Sequence, residues 1–491
     1  MPAPPSSPPA DRPPVGWSAL LSGAALPIAA MVAVGVALHS ANVYIASAAL
    51  PSVAADIGGL SLYAWATTVF VFAAVLGSTA AATVLGRAGM RRAYRLAIGS
   101  VGVGTAIAAL APAMPVLLAG RFVQGLGGGL LFALAYSLVR LMLDRALWPY
   151  AMSLISAMWG VGTFAGPALG GTFAELGAWR LAFWTLVPVT LVFALWGGAR
   201  LPRDGGRQRR PAPPPLAGVG LLGASVLVLS AASVSARPLV NVGGIAAAAL
   251  LFALWLAHER RTARRLLPAA TFAPDGRLRW LYVAMALLML AIAPEVFIAY
   301  FGQELQGLSP LAAGYLGTAL AFGWSAASLA TGGSARRGLL LFGSPLVTAT
   351  GLLLLVPVGP LHHGGAAVIA AIALGYALVG WGVGTAWPQL VTGVLSTVPA
   401  GEQELAGVSI TTIQLAATAA GAAIGGAIVN LAGFTDPGGV AGAHSAARAL
   451  YLATLAVPPL VLAALAVQRR RARAAERRER AAGGRGAEAA A

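Results

Sequence analysis

The chain has 491 residues, 58% of them hydrophobic and only 10% charged, with a mean hydropathy of +0.80. A water-soluble globule needs roughly 25% charged residues to coat itself, so lipid has to solvate most of this surface. The 32 basic residues, all arginine, exceed the 15 acidic ones by +17, but they sit in alternate loops, which excludes a nucleic-acid-binding patch as their purpose.

Residues 1–23 form a polar, proline-rich leader. The apolar run after it is too long for a signal-peptide core, so it reads as an uncleaved anchor, a cleaved signal being the alternative. Runs of roughly 20 apolar residues, each long enough to span a bilayer as a helix, follow near 24–47, 62–85, 94–112, 115–141, 151–172 and 179–199. A basic, proline-rich linker covers 200–215, and a two-span hairpin (near 216–235 and 239–256) fills 216–256. A cytoplasmic loop at 257–279 then leads into six more spans between 280 and 467: near 280–302, 311–331, 338–358, 365–393, 405–430 and 447–467. The runs are continuous, not alternating, which specifies helices instead of a barrel. The expected fold is an all-α membrane protein of about fourteen spans, two six-helix bundles plus a central hairpin, with a basic tail at 468–491.

Arginines fix the orientation. Arg87, Arg91, Arg92 and Arg95, then Arg140 and Arg145, the 200–210 cluster, Arg260 to Arg265, Arg336 and Arg337, and the tail from Arg469 all fall on one side of this scheme. Arg180, Arg237 and Arg448 fall on the other. The positive-inside rule then places both termini in the cytoplasm. The tail reads as an orientation signal near anionic lipid or as a surface helix.

In the first span His39 and Asn42 share a face, with Tyr44 nearby. His39 is either part of a proton relay or a histidine hydrogen-bonded between helices. The fourth span, LLAGRFVQGLGGG, carries Arg121 and Gln124 one turn apart; Arg121 either lines an aqueous cavity or snorkels to the outer interface. In the fifth span GTFAGPALGG sets Gly162, Gly166 and Gly170 four residues apart beside Pro167 and Gly171. Small residues at that spacing let backbones approach, as an inter-bundle joint or as ordinary helix packing. In the ninth span Glu295 follows Pro294, and is either a buried proton carrier or a group at the outer interface. Tyr300, Trp381 and Trp387 offer aromatic surface to a substrate, or equally are packing or interfacial-belt residues.

Other chemistry is excluded by what the sequence lacks. There is no lysine, so no P-loop lysine for an ATP-driven pump of that class. There is no cysteine, hence no disulfide, thiolate metal site or cysteine nucleophile. His362 and His363 stand adjacent in a Gly-rich outer loop without metal-ligand spacing. No cofactor, metal or enzymatic role is expected.

Taken together, GTFAGPALGG, the following WRLAFWTLVP (Trp179 to Pro188), LLAGRFVQGLGGG and FGQELQGLSPLAAG (Phe301 to Gly314) resemble the major facilitator superfamily, and within it the fourteen-span drug:proton antiporters. The likeness extends from about Ala41 to Ile428. It implies a cytoplasmic gating loop at LGRAGMRR, with Arg87, Gly89, Arg91 and Arg92 in place, but Gly86 stands where the family carries an aspartate. Asn42 likewise occupies the place of the first-span aspartate, seven residues before Ala49.

The resemblance implies export of amphipathic or hydrophobic small molecules by alternating access, with protons as counter-substrate, in the inner membrane and as a monomer. The first, fourth, ninth and twelfth spans would line the cavity, Arg121, Gln124, His39, Asn42 and Glu295 supplying polarity and Tyr44, Tyr300, Trp381 and Trp387 aromatic surface. The alternatives are a proton-independent or dedicated metabolite or lipid exporter, and a membrane scaffold or sensor that transports nothing.

Overall fold

Apolar runs with no water to bond to must satisfy their backbone groups internally, and every regular element among the described residues is helical. The computed structural model describes residues 16–201, 215–235, 238–274, 276–331, 336–399 and 402–488; most of the leader, nearly all of the 200–215 linker and the end of the tail lie outside them. A single turn, α1 (Trp17–Leu20), precedes α2 (Ala25–Ile57), α3 (Trp65–Ala109), α4 (Met114–Met142), α5 (Trp148–Glu175), α6 (Trp179–Trp184) and α7 (Leu186–Arg200). The hairpin is α8 (Leu216–Ser233) and α9 (Pro238–Arg261). The second bundle holds α10 (Arg277–Ala291), α11 (Ile298–Glu304), α12 (Pro310–Thr331) and α13 (Arg337–Val358), then α14 (Gly365–Thr397), α15 (Gln403–Leu431), α16 (Gly439–Leu455) and α17 (Val457–Glu488).

Twelve helical segments among the described residues are long and apolar enough to cross a membrane. One of them, Leu60–Ala109, has 50 residues, about 75 Å if straight and more than twice the ~30 Å hydrocarbon core. It breaks at Gly89, where φ is 74° and ψ 165°, a conformation essentially reserved for glycine. Arg87 and Arg92 are exposed beside the break. Arg91 turns inward, donating through Nε to the Leu201 carbonyl (2.8 Å) and through Nη2 to that of Ala199 (2.9 Å), which caps the C-terminal end of α7. Fourteen crossings are reached when the two arms of α3 count separately and α12, with 22 residues, counts as one more; length and composition alone give twelve.

Glycines determine how the helices nest. α4 lies between the two arms of α3. A Cβ on Gly125 or Gly129 would strike the Phe70 or Ala74 carbonyl in the first arm, and one on Gly120 or Gly127 would strike the Ala108 or Ala97 backbone in the second. The second bundle repeats this arrangement with identical spacing. On α14, Gly380 and Gly384 press on the Leu320 and Trp324 carbonyls of α12, while Gly375 and Gly382 press on α13 at Leu355, Ser344 and Thr348. The steps 120, 125, 127, 129 and 375, 380, 382, 384 are the same, a repeat that marks two copies of one helical unit.

The two bundles meet at the end away from the basic loops. Gly171 lies against the Pro310 and Leu311 backbone, and Pro167 against Gly314. Tyr63, from the turn before α3, packs on Phe297 (5.6 Å between ring centroids), Tyr300 (5.7 Å) and Phe434 (6.0 Å) of the other bundle. The hairpin sits astride the same seam, where Val219, Leu222, Gly223 and Val226 of α8 face Phe72 and Val75 of α3 and Ala416 and Ala419 of α15. Asn430 Nδ2 donates to the carbonyls of Ser61 (3.3 Å) and Ser233 (2.9 Å), and Trp65 Nε1 to that of Ser230 (2.9 Å).

Gly129→Leu and Gly380→Leu are both expected to force α4 or α14 off its partner, an overpacking cost of about 1–3 kcal/mol or more. Size-exclusion profiles in mild detergent should show loss of the monodisperse peak for both. Gly220→Leu, where a Cβ meets nothing within 4 Å, should leave the profile unchanged.

Candidate functional site

A cavity of about 100 Å³ lies between the bundles, with room for several waters but smaller than the ~300 Å³ of a drug-sized site. One wall is Val43, Tyr44, Ser47 and Leu50 of α2 with Ala66, Thr67, Phe70 and Val71 of α3, and Arg121 enters from α4. The facing wall is Met289, Ile292, Ala293, Glu295 and Val296, with Thr418 and Ala422 of α15.

Arg121 is only 2% exposed. Burying a guanidinium among helices is costly unless its hydrogens find acceptors. Nε donates to the Ala66 carbonyl (3.3 Å), and Nη1 to the Asn42 carbonyl (3.3 Å), to Asn42 Oδ1 and to Gln124 Oε1 (3.0 Å). Gln124 is held in turn by Nε2 donating to Thr105 Oγ1 (3.1 Å), whose own hydroxyl donates to the Val101 carbonyl (2.6 Å). Cζ stands 4.0 Å from the Phe70 ring centroid, a cation–π contact. Every acceptor is neutral, so the charge itself is uncompensated. In the repeat, Tyr376 takes the corresponding place on α14 and shares a hydrogen bond with Tyr451 (2.6 Å).

Glu295 lies in a 3-10 turn, Ala293–Phe297, that interrupts the helix between α10 and α11. Pro294 at the start of this turn has no N–H to continue the helical ladder. Among the described residues its carboxylate makes neither a hydrogen bond nor an ion pair. His39 is boxed by Phe70 (5.5 Å), Phe132 (5.7 Å) and Trp159 (5.8 Å), and its Nδ1 is buried without a partner. Gly128 lies against that ring, since a Cβ there would meet Nδ1 at 2.5 Å.

Residues 32–425 match the model of the Major Facilitator Superfamily. The chain belongs to that superfamily. It is 37% identical over 455 residues, 89% of its own length and 93% of the relative's, to a protein of Mycobacterium tuberculosis named as a probable multidrug-efflux transporter. It is 28% identical over 302 residues to the tetracenomycin C resistance and export protein of Streptomyces glaucescens, covering 60% of this chain and 56% of that one. Among solved structures, a peptide transporter in complex with sulfate superposes with a TM-score of 0.66 at 14% identity, covering 90% of this chain and 95% of the other. A D-xylose–proton symporter gives 0.61 at 15% over 91% and 97%. These superpositions show the fold, and the family match together with the twelve long apolar helices among the described residues makes this a multi-pass membrane protein.

Against that fold the expected residues sort clearly. Arg121 is buried on the cavity and does not snorkel, because Asn42, Gln124 and the Ala66 carbonyl hold it inward. Tyr44 and Glu295 line the cavity, whereas Asn42 and Gln124 stand behind Arg121 and position it. His39 faces its aromatic box one turn away. Three aromatics leave the expected site. Trp381 is 40% exposed, because α14 turns its glycine face to α12 and α13 and directs this side chain outward. Trp387 packs on Trp324 (5.7 Å), and Tyr300 belongs to the seam around Phe434 (4.6 Å). The twelfth span, α14, thus contributes nothing to the cavity, while the second and thirteenth, the first arm of α3 and α15, do.

The glycine stripe of α5 also divides. Gly162, Gly166 and Gly170 abut Ser40, Tyr44 and Ile45 of α2 inside their own bundle, and only Pro167 and Gly171 reach across to α12. Sequence reasoning passed over the far-end clasp in which Asp56 Oδ2 accepts from Arg180 Nη1 (2.7 Å) and Trp179 Nε1 (3.0 Å). An aspartate closing the first span with Trp-Arg opening the sixth was the signal for it.

Asn42→Ala removes an acceptor from a buried cation, and hydrogen bonds to charged groups are worth about 1.5–3 kcal/mol. The melting temperature of the detergent-purified protein is expected to fall by several degrees, with Asn42→Asp at or above wild type. Equal melting for the alanine variant would mean that Arg121 does not depend on Asn42.

Proposed function

We infer that this protein exports amphipathic or hydrophobic small molecules across the inner membrane by alternating access, with inward proton flow as the driving force. The observation that carries the reading is the cavity between the two bundles, apolar on most of its walls and holding one cation and one acid from opposite sides. Fixed charge is tolerated inside a membrane protein chiefly where water, substrate or protons reach it. The relative named for multidrug efflux supports the same reading, since its likeness runs over nearly the whole chain.

In the cycle, the end with the Tyr63 aromatic cluster and the Pro167–Gly314 contact is closed and the cavity is small. Rocking of one bundle against the other exposes the cavity to each side in turn. Arg121 stays fixed by its amide partners. Glu295, unbonded and ionisable, is the proton carrier in place of the first-span acid, which is Asn42 here. Both termini and the Arg87 loop lie in the cytoplasm, following the arginine asymmetry.

A proton-independent exporter is the second reading, favoured specifically by Asn42 and Gly86 at the two places where the resemblance calls for aspartate. Glu295→Gln separates the two. In proteoliposomes with an imposed pH gradient, it is expected to abolish gradient-driven uphill efflux of an uncharged dye, which makes no ion pair with Glu295, while leaving binding of that dye within about threefold. Downhill dye efflux that is unchanged by both Glu295→Gln and a protonophore, with no uphill efflux in the unaltered protein under the pH gradient, would establish the second reading.

A further inference from the structure

The geometry points to a binding site for zwitterionic amphiphiles, small molecules that carry one anionic and one cationic group on an apolar scaffold. This rests on the transport reading above and names the substrate class of the same cavity. Arg121 reaches the cavity from one bundle and Glu295 from the other, and they are not in ion-pair contact within 4.0 Å. Neither has an ion-pair partner among the described residues. The hydrogen bonds of Arg121 run through Nε and Nη1 to neutral oxygens, and Nη2 has no partner among the described residues.

A lipophilic cation placed here would meet Glu295 but face an open guanidinium, and an organic anion would meet Arg121 but face an open carboxylate. Once the bundles rock apart and widen the cavity beyond its present volume of about 100 Å³, a molecule with both groups, several atoms apart, satisfies both charges while its scaffold lies against Phe70, Val71, Ile292 and Val296. Because the two charges belong to different bundles, such a ligand ties them together when it binds, which is the differential contact that favours closure around it. Asn42 is the residue that sets this preference. An aspartate at that place would neutralise Arg121 and leave the cavity with excess negative charge, a site for cations.

The test uses the purified full-length protein and a matched series: an aryl-substituted γ-amino acid, its methyl ester (cation only) and its N-acetyl derivative (anion only). Affinities are read by tryptophan quenching and transport in proteoliposomes. The zwitterion is expected to bind about tenfold or more tightly than either derivative, as loss of one charge-assisted hydrogen bond implies. Arg121→Gln should erase its advantage over the ester, Arg121→Lys should retain it, Glu295→Gln should erase its advantage over the N-acetyl compound, and Asn42→Asp should turn the preference to the ester. An ester or N-acetyl compound bound as tightly as the zwitterion by the unaltered protein overturns the proposal, as do advantages that persist in well-folded variants. Gradient-driven efflux of the ester alone would overturn only this assignment and leave the transport reading standing. Absence of binding and efflux for all three would overturn both.

Discussion

The burial of Arg121 is the constraint on which the rest of the site depends. A guanidinium between helices has to be given oxygens, and here it receives them from three helices, α2, α3 and α4, through Asn42, the Ala66 carbonyl and Gln124. Those helices can come close enough only because α4 carries glycine where it touches each arm of α3. Backbone packing and the placement of the charge are therefore one structural fact. Widening the α3–α4 contact by a side chain would pull the Ala66 carbonyl away from the guanidinium.

The repeat in the second bundle shows which part of this unit is architectural and which is chemical. Glycine steps of five, two and two recur on α14 and produce the same nesting between α12 and α13. The cation does not recur: Tyr376 stands in its place and bonds to Tyr451. Two bundles with one packing code thus present unlike faces to the gap. The first contributes a fixed positive charge, and the second contributes Glu295 from a turn where Pro294 interrupts the helix. The asymmetry gives the cavity a polarity that two chemically identical bundles could not supply.

How much of this the sequence displays depends on whether the information is local. Helical spans, and the one-turn spacing at which Arg121 meets Gln124, follow from composition and from spacing within one helix. Directions of isolated aromatics do not follow. Trp381 sits between Gly380 and Gly382, and only the packing of both glycines against α12 and α13 tells that its side chain points away from the cavity. The cavity walls from the second and thirteenth spans were illegible for a related reason, since Ala66, Thr67, Thr418 and Ala422 carry no mark that separates a cavity lining from an ordinary helix contact. The seam cluster is the extreme case: Tyr63 and Phe434 are remote in the chain and meet only through the fold. The glycine repeat, by contrast, was present in the sequence, hidden because the residues between the glycines differ in the two copies.

The hairpin gives the far-end closure a property that two bundles alone would lack. Across the bundles themselves the seam is mostly small and aromatic side chains, contacts that are weak individually and separate without leaving charges unpaired. The hydrogen bonds of Asn430 and Trp65 differ in kind, because they end on carbonyls of the hairpin, Ser233 and Ser230, as well as on Ser61 of the first bundle. Opening the far end moves Asn430 away from Ser61, but α8 can remain with one side or the other. Keeping Trp65 bonded to Ser230 assigns the hairpin to the first bundle and breaks Asn430 from Ser233, whereas keeping Asn430 on Ser233 assigns it to the second and frees Trp65. The apolar wedge of Val219, Leu222 and Val226 touches both bundles in the part of α8 nearer the basic loops. The hairpin therefore adds a hydrogen bond to the closed far end whichever bundle it follows.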